Sequence, residues 1–150
     1  MNEDITQIAS GIHRLSSVMG RIADRVLQEH YEFGMTQFKI IWVLYNHRED
    51  GGVRQSDIAT WLSQTEAAIS RQIRPMSKQK LLESTVDPKN RRSHLVRLTA
   101  EGEALAREAM QTLMAVNRQY FDKLTKKQQT DLADMLTILF NGAVVCLNDL

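Results

Sequence analysis

The sequence has few of the features that mark a disulfide-stapled or membrane-embedded protein. Its 150 residues include a single cysteine, Cys146, which excludes an intrachain disulfide and is typical of a reducing compartment. No uninterrupted apolar run approaches the ~18 residues that cross a bilayer. The N-terminal residues MNEDITQ lack the basic and apolar regions of a secretion signal. We therefore expect a cytoplasmic protein.

Motifs that carry catalysis or bind metals are also missing. The sequence shows no nucleophile paired with a base, no Gly-rich phosphate loop and no carboxylate pair at catalytic spacing. The four histidines, which lack metal-ligand spacing, are His13, His30, His47 and His94. No cationic residue adjoins Cys146 to activate its thiol for redox sensing. We expect no enzyme, no metal site and no cofactor.

The net charge of +1 hides an uneven distribution of charge along the chain. Residues 54–97 carry nine Lys and Arg against four Asp and Glu, whereas the remaining residues carry ten against fourteen. A basic middle segment between acidic flanks is typical of a segment that faces a polyanion. Charge alone leaves chance clustering as the alternative.

Apolar residues repeat at helical spacing near both ends of the chain. The first repeat predicts a helix over residues 3–29, with a narrow seam formed by Ile5, Ile8, Ile12, Leu15, Met19, Ile22 and Val26. A second amphipathic helix is predicted between Ala100 and Lys123. Thr125–Gln128 has the pattern of a capping box and predicts the start of a third. Because narrow seams favour a partner subunit, residues 3–30 and 100–150 are predicted to form a homodimer.

The middle of the chain is built of short elements. Helices are predicted over Thr36–Asn46 and Ser56–Leu62, and a capping box at Ser63–Glu66 predicts a third that ends near Lys78. Two short helices joined by a tight turn indicate a helix-turn-helix.

A β-hairpin is predicted after these helices. Leu81–Val86 and His94–Thr99 are expected to pair around a cationic loop, Asp87–Ser93. The predicted fold class is mainly α with a small antiparallel β-hairpin wing, and residues 36–99 form a winged helix-turn-helix module.

The second helix of the predicted pair has one apolar and one cationic face. With Ile69, Ile73 and Met76 inward, the outward stripe holds three cations and an amide but no acid. Such a helix fits the major groove of DNA, where Arg reads guanine and Gln reads adenine. The hairpin tip would reach phosphates or the minor groove. The predicted DNA-binding residues are Gln64, Thr65, Ala67, Ser70, Arg71, Arg74, Lys78, Lys89, Arg91 and Arg92.

The hairpin resembles a known family. Asp87-Pro88-Lys89-Asn90-Arg91-Arg92, followed by Val96-Arg97-Leu98-Thr99-Ala100-Glu101-Gly102, is similar to the D-P-x-D-R-R and V-x-L-T-x-x-G wing of the multiple-antibiotic-resistance regulator (MarR) family. Residues 56–74 also resemble the turn and recognition helix of that family. The resemblance implies a homodimeric winged-helix repressor or activator, often controlled by a small molecule, a metal or an oxidant. We favour a repressor that binds an inverted-repeat operator.

Four residues depart from the family pattern. Asn90 and Ser84 stand where the family usually has Asp and Arg. Lys80 replaces a Gly, at a cost of about 1 kcal/mol if the left-handed conformation is kept. Pro75 predicts a kink or an early end of the recognition helix.

Two questions stay open from the sequence. An effector, if one exists, is expected between the long helices and the winged module. The candidates there are His13, Met19, Trp42 and Met114, but ordinary core or surface positions are the favoured interpretation of these residues. The alternative function is a winged helix that binds a protein partner without reading DNA, because a fold does not determine its function.

Overall fold

The computed structural model describes residues 3–148, apart from the side chains of Glu3, Arg92 and Asn148. Long helices lie at both ends of the sequence, with short helices and a small sheet between them. The elements are α1 (Glu3–Tyr31), α2 (Met35–Asn46), β1 (Val53–Arg54), α3 (Gln55–Trp61), α4 (Glu66–Lys78), β2 (Leu82–Asp87), β3 (Asn90–Leu98), α5 (Ala100–Phe121) and α6 (Lys126–Asn148). The mainly α fold with a β wing is therefore confirmed.

The chain divides into two units, Met1–Gln111 and Thr112–Leu150. The first unit holds the apolar core, and its largest fully buried side chains are Leu27, Ile40, Ile41, Leu44, Ile58, Ile69, Met76 and Val96. The carboxylate of Asp24 on α1 accepts a hydrogen bond from the backbone N–H of Met35 at 2.8 Å. This bond satisfies a free donor at the start of α2 and holds the two helices together.

The second unit contains the end of α5 and all of α6. The predicted capping box is present, since Thr125 N–H donates to Gln128 Oε1 at 2.8 Å and Gln128 N–H donates to Thr125 Oγ1 at 3.3 Å. Over Lys126–Leu147, α6 is long and apolar enough to cross a membrane by length and composition alone. Asp131 and Asp134 interrupt this segment, so it is not an uninterrupted apolar run.

The sheet has three antiparallel strands within the described residues, in the order β1-β3-β2. Val96 pairs with Val53 on one side and with Ser84 on the other. The hairpin turn consists only of Pro88 and Lys89. The predicted long loop is therefore wrong, and Arg91 and Arg92 lie on β3. β1 was missed because two residues are too few to show strand alternation.

The turn between α3 and α4 differs from the predicted capping box. Ser63 adopts a left-handed conformation, with φ of 52°. Its N–H donates to the Thr60 carbonyl at 3.1 Å, and Gln64 N–H donates to the Ala59 carbonyl at 2.8 Å. These two bonds form a Schellman motif that ends α3. Ser63 therefore terminates one helix instead of starting the next, and the prediction of a cap at Ser63 is wrong.

Helix α4 continues through Pro75 to Lys78. The early end predicted at Pro75 is therefore wrong. Proline lacks the N–H that would bond to the carbonyl of Arg71, but Ile73 and Met76 on either side are both buried. Their packing on the core holds the last turn of the helix in place.

The junction after α4 explains the L-T-x-x-G segment. Lys80 is left-handed, with φ of 59°, as its position in place of a glycine predicts. The carbonyl of Lys80 accepts a hydrogen bond from Thr99 Oγ1 at 2.7 Å. Thr99 Oγ1 in turn accepts a hydrogen bond from the backbone N–H of Gly102 at 3.1 Å. A Cβ on Gly102 would lie 1.9 Å from the Leu81 carbonyl oxygen. The start of α5 thus packs directly against the junction between α4 and β2.

Candidate nucleic-acid interface

Helix α4 presents the two faces that the sequence predicts. Ile69, Ile73 and Met76 are buried. On the other side Ala67, Arg71, Arg74 and Lys78 are exposed, and Ser70 is half-buried. Within the described part of the chain, the three cations of this face form no ion pair. Their positive charge is therefore available to an external anion.

The N-terminal end of α4 is built by Thr65. Its side-chain oxygen accepts a hydrogen bond from Ala68 N–H at 3.1 Å and caps the helix. Gln64 is exposed but precedes the helix, so it lies in the turn and not on the helical stripe. Gln55 on α3 donates from Nε2 to the carbonyl of Glu66 at 3.2 Å and ties the two helices together at this end.

The wing carries the second group of cations. Lys89 lies in the hairpin turn and Arg91 on β3, and both are exposed. The backbone of Arg92 belongs to β3, but its side chain lies outside the described residues. Arg97 is exposed, while Val96 and Leu98 are buried, as strand alternation predicts.

An ion pair between β1 and the wing braces the hairpin tip. Asp87 is buried, and its Oδ2 lies 3.1 Å from Arg54 Nε. Its Oδ1 accepts a hydrogen bond from the backbone N–H of Lys89 at 2.8 Å. We call Arg54 and Asp87 the wing latch. The sequence reasoning missed it, because it joins residues 33 positions apart and β1 carries no recognisable pattern.

The wing latch has a defined charge state. The Lys89 N–H lowers the pKa of the Asp87 carboxyl below its usual value of 3.8; burial opposes this effect, and the Arg54 guanidinium adds to it. The carboxyl is therefore ionised at neutral pH, and both of its oxygens are engaged. Asn90 follows directly after the turn that this carboxylate braces.

The latch predicts a pH dependence of stability. A lowered folded-state pKa contributes stability above the unfolded value near 3.8, and this contribution is lost as the pH falls through the folded pKa. We expect Asp87→Asn to lower the melting temperature at pH 7, and the difference from the native chain to shrink below pH 3.8. Thermal melting of both chains across pH measures this. A difference that stays constant with pH would assign the effect to packing.

The start of α4 and the tip-side half of strand β3 in the wing border one cleft. This cleft of about 170 Å³ is lined by Gln55, Ser56, Glu66, Asn90, Ser93 and His94. Residues from the wing and from the N-terminal end of α4 thus stand beside each other. In a helix-turn-helix this is the end of the recognition helix that meets the bases.

Comparisons with known proteins agree with this architecture. Residues 33–102 match the family model described as a winged helix DNA-binding domain. No curated protein matches the chain.

Solved structures of similar fold cover nearly the whole chain. MepR of Staphylococcus aureus in complex with DNA has a TM-score of 0.75 and 24% identity, over 91% of this chain and 97% of that one. Apo MarR from E. coli has a TM-score of 0.78 and 19% identity, over 87% and 94%. A MarR transcriptional regulator from Methanosarcina mazei Go1 has a TM-score of 0.82 and 21% identity, over 94% and 99%.

These similarities confirm the resemblance seen in the wing residues. The matched segment begins in front of α2 and ends at Gly102, so it contains α4, the wing and the wing latch. The chain therefore carries a winged-helix DNA-binding domain, and its fold is that of the MarR-family regulators.

Proposed function

We propose that the chain is a sequence-specific, double-stranded DNA-binding transcription regulator. The observation that carries this proposal is the exposed face of α4, where Arg71, Arg74 and Lys78 have no ion-pair partner among the described residues. A solvated helix face normally mixes both signs of charge. An unpaired cationic face on the second helix of a helix-turn-helix suits the major groove. A neighbour of similar fold, MepR, has been solved with DNA.

The residues proposed to contact DNA have different roles. Gln64, Thr65, Ala67, Ser70 and Arg71 lie at or near the start of α4 and are the ones we assign to the bases. Arg74 and Lys78 lie further along the helix, where phosphates are the expected partners. Lys89, Arg91 and Arg92 of the wing complete the set, with the minor groove or its phosphates as their target.

The proposal includes a homodimer. In the single chain, the α1 seam exposes Ile5, Ile8, Ile12 and Leu15, and α6 exposes eight large apolar residues: Met135, Leu136, Ile138, Leu139, Phe140, Val144, Val145 and Leu147. Apolar faces of this extent are a mark of protein interfaces. We therefore assign residues 3–30 and 100–150 to dimerisation and residues 36–99 to DNA binding. The same partner contact accounts for the apolar character of α6 in a cytoplasmic protein.

A dimer supplies the specificity that one module lacks. Two copies of α4 related by a twofold axis would read an inverted repeat whose half-sites lie about one helical turn, ~34 Å, apart. We propose repression as the outcome, since it needs only occupancy of an operator that overlaps a promoter. A small-molecule effector that alters the spacing of the two modules would release the DNA.

Arg71 provides a direct test of base reading. We expect Arg71→Ala to weaken operator binding by about 1–3 kcal/mol and to relax preference at one base position, because a bidentate contact to guanine is lost. Binding titrations on the operator and on single-base variants measure both effects. Lys39→Ala removes one exposed cation on α2, which is assigned neither to DNA contact nor to dimerisation, and should change neither. Equal weakening on every sequence would instead place Arg71 on a phosphate.

Substitutions in the wing distinguish DNA binding from the alternative function, a protein-interaction module. We expect the double substitution Arg91→Ala and Arg92→Ala to reduce the slope of log affinity against log salt concentration by about 2. The reason is that about two phosphate contacts are lost, and the counterions that they would release stay bound to the DNA. Binding to duplex DNA across salt concentrations measures the slope. An affinity independent of salt, in the native chain, would favour a protein partner.

A further inference from the structure

A cavity of about 300 Å³ lies behind the wing, and of the residues that line it the DNA-binding proposal uses only Lys89. Its walls come from the turn after α2, the end of α3 and the tip of the wing. The volume is at the lower end of the range for small-molecule sites, ~300–1,000 Å³. The wing latch forms part of the wall, so this cavity adjoins the contact that braces the wing.

One wall of the cavity is an aromatic stack. The rings of His47 and Trp61 lie 4.9 Å apart between centroids, with 23° between their planes. Asp50 Oδ2 lies 2.7 Å from Nδ1 of His47 and fixes the ring. Trp61 is nevertheless 52% exposed. A large indole surface that is held by a stack and left accessible is suited to receive a flat ring.

The charges of the lining favour a positive ligand. Three carboxylates, those of Asp50, Asp57 and Asp87, outnumber the two permanent cations, Arg54 and Lys89. Asp87 is neutralised by Arg54, and Asp50 is engaged by His47. Asp57 forms no ion pair and its side chain no hydrogen bond to any described residue, although it is half-buried. A half-buried carboxylate beside an accessible indole is a favourable environment for a cation.

We propose that this cavity binds a planar aromatic cation, which stacks on Trp61 and pairs with the carboxylate of Asp57. The ligand also contacts Asp87, Pro88 or Lys89 on the wing side, where the Arg54–Asp87 ion pair forms part of the wall. Binding therefore favours the braced wing by mass action. The residues proposed to hold the ligand, Trp61 and Asp57, take no part in the proposed DNA contacts, although Lys89 borders both sites.

The test is calorimetric titration of the full-length chain with N-methylquinolinium, and with quinoline as the uncharged analogue. We expect one saturable site per chain for the cation and at least about fivefold weaker binding of quinoline, in line with the strength of cation–π and partly buried charge contacts. Trp61→Leu and Asp57→Asn should each weaken the cation by at least about fivefold, while Trp61→Phe retains most of the affinity. Glu108→Gln removes an exposed acid outside the cavity and should have no effect.

Two results would overturn the proposal. The first is no saturable binding of N-methylquinolinium to the native chain. The second is binding that neither Asp57→Asn nor Trp61→Leu weakens, or that quinoline matches. Thermal melting of each variant shows that it is folded, and the isosteric Asp57→Asn keeps the test decisive if Trp61→Leu is unstable. Because ligand binding is measured without DNA, failure here leaves the DNA-binding proposal intact.

Discussion

Replacement of Gly102 by alanine should lower the melting temperature of the chain markedly more than the same replacement at the other helical glycines, Gly11, Gly20 and Gly142. The new Cβ would lie 1.9 Å from the carbonyl oxygen of Leu81, and a backbone atom cannot move aside as a flexible side chain does. The start of α5 must retreat, and the hydrogen bond from Gly102 N–H to Thr99 Oγ1 is lost with it.

The expected loss of stability is the sum of two contributions. Overpacking costs about 1–3 kcal/mol or more, and a lost helix cap about 1 kcal/mol. We therefore expect a loss of about 3 kcal/mol, which lowers the melting temperature of a chain of this length by about 6–12 °C. Differential scanning calorimetry measures it.

A matched glycine supplies the control. Gly20 lies in α1, and a Cβ added there would meet nothing within 4 Å, so Gly20→Ala should be neutral or stabilising by up to about 1 kcal/mol. If Gly102→Ala melted at the native temperature, the close contact between α5 and the α4–β2 junction would not exist. DNA binding should fall with stability, since the same junction holds the C-terminal end of α4.

Removal of α6 should abolish the proposed homodimer. A chain ending at Leu124 lacks every exposed apolar residue of α6, and we expect monomers or aggregates in place of a defined dimer. Analytical ultracentrifugation distinguishes these states. A well-behaved dimer from this truncated chain would refute the assignment of the interface.

A point substitution tests the same surface in the intact chain. Leu139 lies on an apolar seam of α6 and is exposed in the single chain; the seam, with spacings of three and four residues, consists of Leu132, Leu136, Leu139, Ala143 and Cys146. We expect Leu139→Lys to raise the dimer dissociation constant by at least about 30-fold, the effect of losing an interface residue worth ~2 kcal/mol. Asn141→Lys places the same charge on the same helix away from the seam, and should leave the dimer unchanged. Equal effects of both would mean that net charge, not packing, is responsible.

Much of the architecture was predictable because it depends on local periodicity. Apolar residues at helical spacing placed the long helices to within two residues of the observed ends of α1 and α5. Along β3, the burial of Val96 and Leu98 on either side of the exposed Arg97 follows the ordinary alternation of a strand. A helix turns by about 100° per residue, and this rotation assigned each residue of α4 to the buried or the exposed face. The exposed cations of α4 were therefore predictable from their spacing alone.

The errors lie where a short segment depends on distant packing. The Ser63–Glu66 pattern satisfies a capping box, yet Ser63 terminates α3, because the chain must turn before α4 can pack on the core. Pro75 does not end α4, since Ile73 and Met76 are buried on either side. The wing loop closes after only two residues because Asp87 braces it.

The sequence by itself determined the helix-turn-helix, the wing and the cationic face, because each is encoded by the spacing of neighbouring side chains. Only the tertiary structure decided the wing latch, the contact of Gly102 with Leu81 and the cavity beside Trp61. Each of these features joins residues that are far apart along the chain. No local sequence pattern shows which distant residue a buried carboxylate or a closely packed glycine will contact.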